Sequence, residues 1–152
     1  MSNIQGLSFG SMFADEAGIA VVIGAPNVYV AIGGGCSPGP VPFDSFTFLP
    51  ATSQLSTVIP GTYLAIWSMS PTTAAGVVQE VSGCIMIGTA PQLYTSNHAF
   101  TNGPGGSRIC CIAGSGIILL ARSALVTLCV ANHTGANNIS IEHVNLSLLR
   151  LI

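Results

Sequence analysis

The chain contains no lysine, and charged residues make up only 5% of its 152 positions, against roughly 25% in ordinary soluble domains. The carriers are Asp15, Glu16, Asp44, Glu80, Glu142, Arg108, Arg122 and Arg150, for a net charge of -2. No basic patch can form from them, so a phosphate backbone has no electrostatic footprint and nucleic acid is not an expected partner. Long unbroken apolar runs are also missing. The densest, Ile109 to Ala121, is interrupted by Gly114, Ser115 and Gly116. It is shorter than the roughly 20 residues of a spanning helix, so no membrane insertion is expected. No basic n-region opens the chain, and no signal peptide is expected.

Catalytic patterns are missing too. His98, His133 and His143 stand in none of the spacings that mark a metal site, and no G-x-S-x-G elbow occurs. The run Gly33-Gly34-Gly35 leads into Cys36-Ser37-Pro38 and not into a helix with lysine, so it is no phosphate cradle. With five carboxylates, acids and orienting groups for hydrolysis are scarce. The sequence predicts no enzyme, no metal and no cofactor. The N-x-S/T triplets at Asn132, Asn138 and Asn145 matter only in a eukaryotic secretory setting.

Hydrophobic residues reach 49%. With so little charge, the surface must be kept polar by Ser, Thr, Asn, Gln and Gly, or apolar surface must be hidden between subunits. The five cysteines, Cys36, Cys84, Cys110, Cys111 and Cys129, are odd in number, and their spacing forms no disulfide framework. Most read as buried hydrophobes. Cys36, in a Gly/Pro-rich loop, is the expected exception.

Helix signals are weak, with one modest candidate at Ser11 to Ala17. Short β-branched and aromatic runs predict strands at Ile19–Ile23, Val28–Ile32, Phe46–Leu49, Leu55–Val58, Thr62–Met69, Val77–Val81, Cys84–Ile87, Gln92–Ala99, Ser107–Ala113, Ile117–Ala121, Ala124–Ala131 and Ile139–Leu151. Turns are expected at Ala25–Asn27, Ser82-Gly83, Asn102–Gly106, Gly114–Gly116 and His133–Asn138. Gly33 to Pro42 is expected to be irregular. The pattern is that of an antiparallel all-β sandwich or barrel.

Two strands are apolar on both faces. Thr62–Met69 sets Tyr63, Ala65, Trp67 and Met69 against Leu64 and Ile66, and Ala124–Ala131 sets Leu125 against Val126 and Leu128 against Cys129. Outer faces of a lone sandwich should be polar, so these strands suggest a subunit interface. Tyr63, Trp67 and Met69 are assigned to the core, and Leu64, Ile66, Val126 and Leu128 to the interface. Ser53 is expected in an exposed polar loop. Tyr94, Asn97, His98 and Arg108 form the best candidate ligand surface.

The order of Val41-Pro42-Phe43, the strand entry Pro60-Gly61-Thr62-Tyr63, the segment Val81-Ser82-Gly83-Cys84 and the long closing strands from Ala124 to Ile152 resembles the tumour-necrosis-factor-like jelly rolls that head collagen-like proteins. The pattern is most similar to the C-terminal domains of bacterial collagen-like spore-surface (exosporium) glycoproteins. The resemblance spans about Val28 to Ile152. It implies an antiparallel jelly-roll sandwich assembling as a homotrimer. Residues 1–18 would lead from an N-terminal collagen-like stalk, and residues 19–152 would form the head. The implied role is to align the stalk and form the exposed tip of a spore or cell surface layer, outside the cell. The alternative is a trimeric head of a viral, phage or bacterial adhesin or lectin that binds host or surface glycans or proteins. The cysteine content and the low charge depart from the family pattern.

Overall fold

A computed structural model describes residues 9–39, 45–73, 76–101 and 110–152. Among them there is no helix, only twelve strands. These are β1 (Phe9–Ala14), β2 (Ile19–Val21), β3 (Val30–Ala31), β4 (Ser37–Pro38), β5 (Phe46–Leu49), β6 (Gln54–Thr57), β7 (Gly61–Thr73), β8 (Gln79–Ile87), β9 (Ala90–Thr101), β10 (Ile112–Leu120), β11 (Leu125–Asn132) and β12 (Ile139–Arg150). They form two antiparallel sheets. The first runs β10-β7-β12-β1-β4, with β2 also on β12. The second runs β5-β6-β11-β8-β9, with β3 also on β11.

The core lies between the sheets and follows from alternation. In β7, Tyr63, Ala65, Trp67 and Met69 point inward and are buried, while Leu64, Ile66 and Ser68 point out. Its neighbour β12 adds Val144, Leu146 and Leu148, and β11 adds Val126, Leu128 and Val130. Each such side chain contributes roughly 1.5–3 kcal/mol on burial. The Tyr63 hydroxyl donates to the Ile59 carbonyl at 2.6 Å, and its ring meets Phe46 edge-on at 5.1 Å.

Two expected turns are instead uninterrupted strand. Ser82-Gly83 lies inside β8, and Gly114-Ser115-Gly116 lies inside β10. The reason is the Trp67 ring. A Cβ on Gly83 would stand 3.1 Å from the indole, and one on Gly114 would stand 2.8 Å from it. At Gly116 a Cβ would come within 2.7 Å of Thr95 Cγ2. These glycines provide space for a close approach and not a bend. Thr95 sits in a bulge of β9, where the register slips between Gly83 and Ile85. Its carbonyl accepts the indole N–H of Trp67 at 3.2 Å.

Other expectations change as well. The helix candidate at Ser11–Ala17 is strand β1 for its first part, because Met12 and Ala14 alternate inward. All six residues of β1 pair with β12, so the sandwich already includes Phe9. The Gly33–Pro42 stretch contains the short strand β4, paired to β1, where an edge position tolerates Pro38. Ser53 is not in an exposed loop. It is buried, its hydroxyl accepts the Cys36 N–H at 2.9 Å, and its carbonyl accepts the Thr127 hydroxyl at 2.7 Å. The motif at Val41–Phe43 and the loop at Asn102–Gly106 lie outside the described residues.

Candidate functional site: two outer faces

The outer face of the first sheet is apolar and bare. Strand register places Ile117, Leu64, Leu149 and Phe9 in one row across β10, β7, β12 and β1. The next row is Ser115, Ile66, Ser147 and Ser11. No charged side chain stands in either row. Ile66 is 54% exposed, Ile117 61% and Leu119 77%. At the far edge, beside β4, Phe9, Phe13, Gly39 and Asn145 line an open groove. Three large aliphatics and an aromatic in one charge-free band are unusual on a surface that water must cover.

The centre of the second sheet's outer face, over β8 and β11, is covered by the chain itself, while Leu93, Tyr94 and Phe100 of β9 stay exposed. Here β8 presents Ser82, Cys84 and Met86, and β11 presents Thr127, Cys129 and Ala131. Tyr29 and Ala31, in and beside β3, pack over Cys84, Met86 and Cys129. This cover corrects part of the interface assignment. Val126 and Leu128 point inward, are 0% exposed and belong to the chain's own core. The opposite face of β11 is sealed by the Tyr29–Ala31 segment, so neither face is free for a partner. Both faces of β11 are apolar because both are buried within one chain.

A polar network fastens that cover. His133 Nδ1 donates to Asn27 Oδ1 at 2.8 Å, which leaves Nε2 to accept the Ser82 hydroxyl at 2.6 Å. The Ser82 and Tyr29 hydroxyls are hydrogen-bonded at 2.9 Å. Asn27 takes the left-handed conformation (φ 65°) that asparagine tolerates in a turn. The His98 ring stacks on His133 at 5.1 Å, and its Nδ1 meets Glu80 Oε1 at 3.2 Å. Burial pushes the Tyr29 phenol above its ordinary range, and the Ser82 hydrogen bond offsets this only in part. Serine, histidine and asparagine are here in the hydrogen-bonding order of a nucleophile, its base and an orienting group. Ser82, however, is 0% exposed beneath the closed cover, so the folded chain presents no open site in which a substrate could meet it. The network acts as a staple. Its members are too far apart in sequence for any local motif to have revealed it.

Beneath the cover, Cys84 and Cys129 are opposite each other in register, with sulfurs 3.1 Å apart. Both are buried free thiols. The hydrogen bond from Cys129 pulls the Cys84 thiol below its usual range against the opposing effect of burial. Cys129 is pushed far up, by that same bond first, then by burial and by the neighbouring charge. Cys36 is also buried, and Cys111 is the exposed thiol. Among the described residues, no group of three or more His, Cys, Asp or Glu side chains is placed to hold a metal ion.

The candidate ligand surface divides. Tyr94 lies against Gly116, and Asn97 donates through Nδ2 to the Ala113 carbonyl at 2.8 Å, so both look toward β10. His98 looks the other way, toward Glu80 and His133. Arg108 lies outside the described residues.

No family model matches the chain, and no curated protein does. Solved structures do match. The Eiger tumour necrosis factor of S. frugiperda aligns at TM-score 0.63 and 14% identity, over 97% of this chain and 94% of that one. The globular domain of zebrafish complement 1qA aligns at 0.54 and 12%, over 97% and 98%. Murine APRIL at pH 5.0 aligns at 0.51 and 9%, over 95% and 100%. At these identities the likeness concerns the path of the backbone: the chain folds as an antiparallel jelly roll of the kind found in tumour necrosis factor and complement 1q heads.

Proposed function

We propose that this chain is the trimerising globular head of a surface filament protein. The observation that carries the reading is the charge-free apolar band Ile117–Leu64–Leu149–Phe9, with exposed Ile66 beside it, continuous across four strands of one sheet. Of the expected interface residues, Leu64 and Ile66 are in or beside this band. Ile117, Leu149 and Phe9 join them through strand register.

The band is also asymmetric. Ile117 and Leu119 protrude at the β10 edge, and the groove beside Phe9 and Phe13 lies at the β1–β4 edge. A ridge at one edge and a groove at the other favour head-to-tail contact, which closes into a ring when the rotation suits. Three copies around one axis bury the band and leave the covered sheet outside.

The entry to β1 is in this band, so trimerisation brings three chain entries together. That suits alignment of a collagen-like stalk and display of the head as the tip of a spore or cell surface layer. Sedimentation velocity tests the assembly. A trimeric wild type that Ile66→Glu dissociates is the expected result, and a monomeric wild type overturns it. The stalk role is tested by fusing Gly-Pro-Pro repeats upstream of the head. Collagen-type circular dichroism should then persist to a higher temperature than for the repeats alone.

A further inference from the structure

We propose that Cys84 and Cys129 form a redox-active dithiol that peroxide closes into a disulfide between β8 and β11. Three observations carry this. The residues are a directly opposed antiparallel pair, and such pairs have Cα separations of about 4.5–5.5 Å, within the range that a disulfide accepts. The sulfurs already face each other at 3.1 Å. Their cover is a two-residue strand, held by two register pairs, by flanking backbone bonds from Asn27 N–H to the Asn132 carbonyl and from Ile32 N–H to the Leu128 carbonyl, and by the Tyr29–Ser82–His133–Asn27 bonds. A segment so lightly held opens locally more often than the sheet beneath it.

The chemistry balances with one peroxide. Cys84 is the attacking sulfur, since its thiolate is stabilised by the Cys129 S–H. It attacks one oxygen of hydrogen peroxide, the O–O bond breaks, and the leaving hydroxide takes up the proton that the thiol released. This gives a sulfenic acid on Cys84 and one water. The Cys129 sulfur then attacks the Cys84 sulfur. The S–S bond forms, the S–O bond breaks, and the departing hydroxyl leaves as a second water with the Cys129 proton. Two thiols lose two electrons in all, and both peroxide oxygens end as water.

The test uses the intact folded chain. It is treated with hydrogen peroxide, quenched with catalase, unfolded in the presence of an alkylating reagent and mapped by peptide mass spectrometry. A linked peptide pair carrying Cys84 and Cys129 is expected, with three of the five cysteines still alkylated. In Cys129→Ser, whose hydroxyl can still donate to the Cys84 thiolate but cannot form a disulfide, the Cys84 sulfenic acid has no resolving partner and should be trapped by a 1,3-dione. Weakening the cover with His133→Ala should speed closure about tenfold, the factor that corresponds to a small loss of local stability. Alkylation of all five thiols after peroxide overturns the proposal. So does a linkage through Cys36, Cys110 or Cys111, or a Cys84 that gives no dione adduct in Cys129→Ser. None of these outcomes depends on whether the head is a trimer.

Discussion

The chain covers the centre of the second sheet's outer face, and among the described residues it leaves the apolar band of the first sheet partly exposed. On the second, a passing segment lays Tyr29 and Ala31 over two cysteines and a methionine, and hydrogen bonds through Ser82 and His133 hold it there. On the first, a row of apolar side chains crosses four strands, with Leu64, Leu149 and Phe9 half-buried and Ile117 exposed at its edge. Both faces carry strands that are hydrophobic on two sides. They differ only in whether the cover comes from within the chain, which shows that two-sided hydrophobicity marks a need for cover and does not say who supplies it.

The sharpest test of this contrast is one substitution made on each sheet. Ile117→Asp adds a charge to an exposed position, so the monomer should fold normally while the assembly is lost in sedimentation velocity. Burying Ile117 and Ile66 between subunits is worth roughly 1.5–3 kcal/mol each, and three like charges near one axis would add repulsion. Val126→Asp places the same charge in the core and should leave no folded protein, which thermal melting would show. If both variants behaved alike, the two faces would not differ as described.

Oxidation comes next in size. Cys84 and Cys129 are 45 residues apart, and closing a loop of that length stabilises a fold by at most about 4 kcal/mol. The melting temperature should therefore rise after peroxide and return after reduction, and Cys84→Ala should show neither change. A smaller effect is expected from the staple. Tyr29→Phe removes one hydroxyl from the network and should cost about 1 kcal/mol in denaturant unfolding. It should leave sedimentation unchanged, because the cover is remote from the proposed interface.

The smallest effect is on alkaline stability. Burial raises the thiols of Cys36 and Cys110 from an ordinary value of 9.0, and the phenol of Tyr29 from 10.0. Above 9.0 the unfolded chain gives up these protons before the folded one does, so it binds fewer protons and stability falls as pH rises. Below 9.0 this contribution is fully present. Melting temperatures should be flat from neutrality to about pH 8 and decline beyond pH 9, with a shallower decline in Cys36→Ala.

Alternation made β7 readable in the sequence, together with its division into a core face and an outer face, because Tyr63, Ala65, Trp67 and Met69 follow one another at steps of two and Leu64 and Ile66 fall between them. The glycines were less legible. Gly83, Gly114 and Gly116 carry the residue type of turns, but what demands glycine at the first two is a tryptophan ring at least sixteen positions away in sequence, and at the third the side chain of Thr95. That ring's position is a tertiary fact. The same holds for β11, where Val126 and Leu128 look like an interface until the Tyr29–Ala31 segment is seen to seal the opposite face. Asn27, Ser82, His98 and His133 carried no shared spacing, and only the register of β8 with its neighbours unites them. The candidate ligand surface took Tyr94, Asn97 and His98 from one expected strand and Arg108 from the next, and strand alternation turns Asn97 and His98 to opposite sides.

The glycine-walled slot around Trp67 has an optical consequence. This is the only tryptophan in the chain, fully enclosed, with its N–H bonded to a backbone carbonyl. Its fluorescence reports whether the two sheets are still packed together, and it points into the core, on the face of β7 opposite the band that a neighbouring copy would cover. Dissociation into folded monomers should leave the emission unchanged, whereas separation of the sheets should shift it to the red. One intrinsic chromophore thus allows loss of assembly and loss of fold to be followed separately in the same sample.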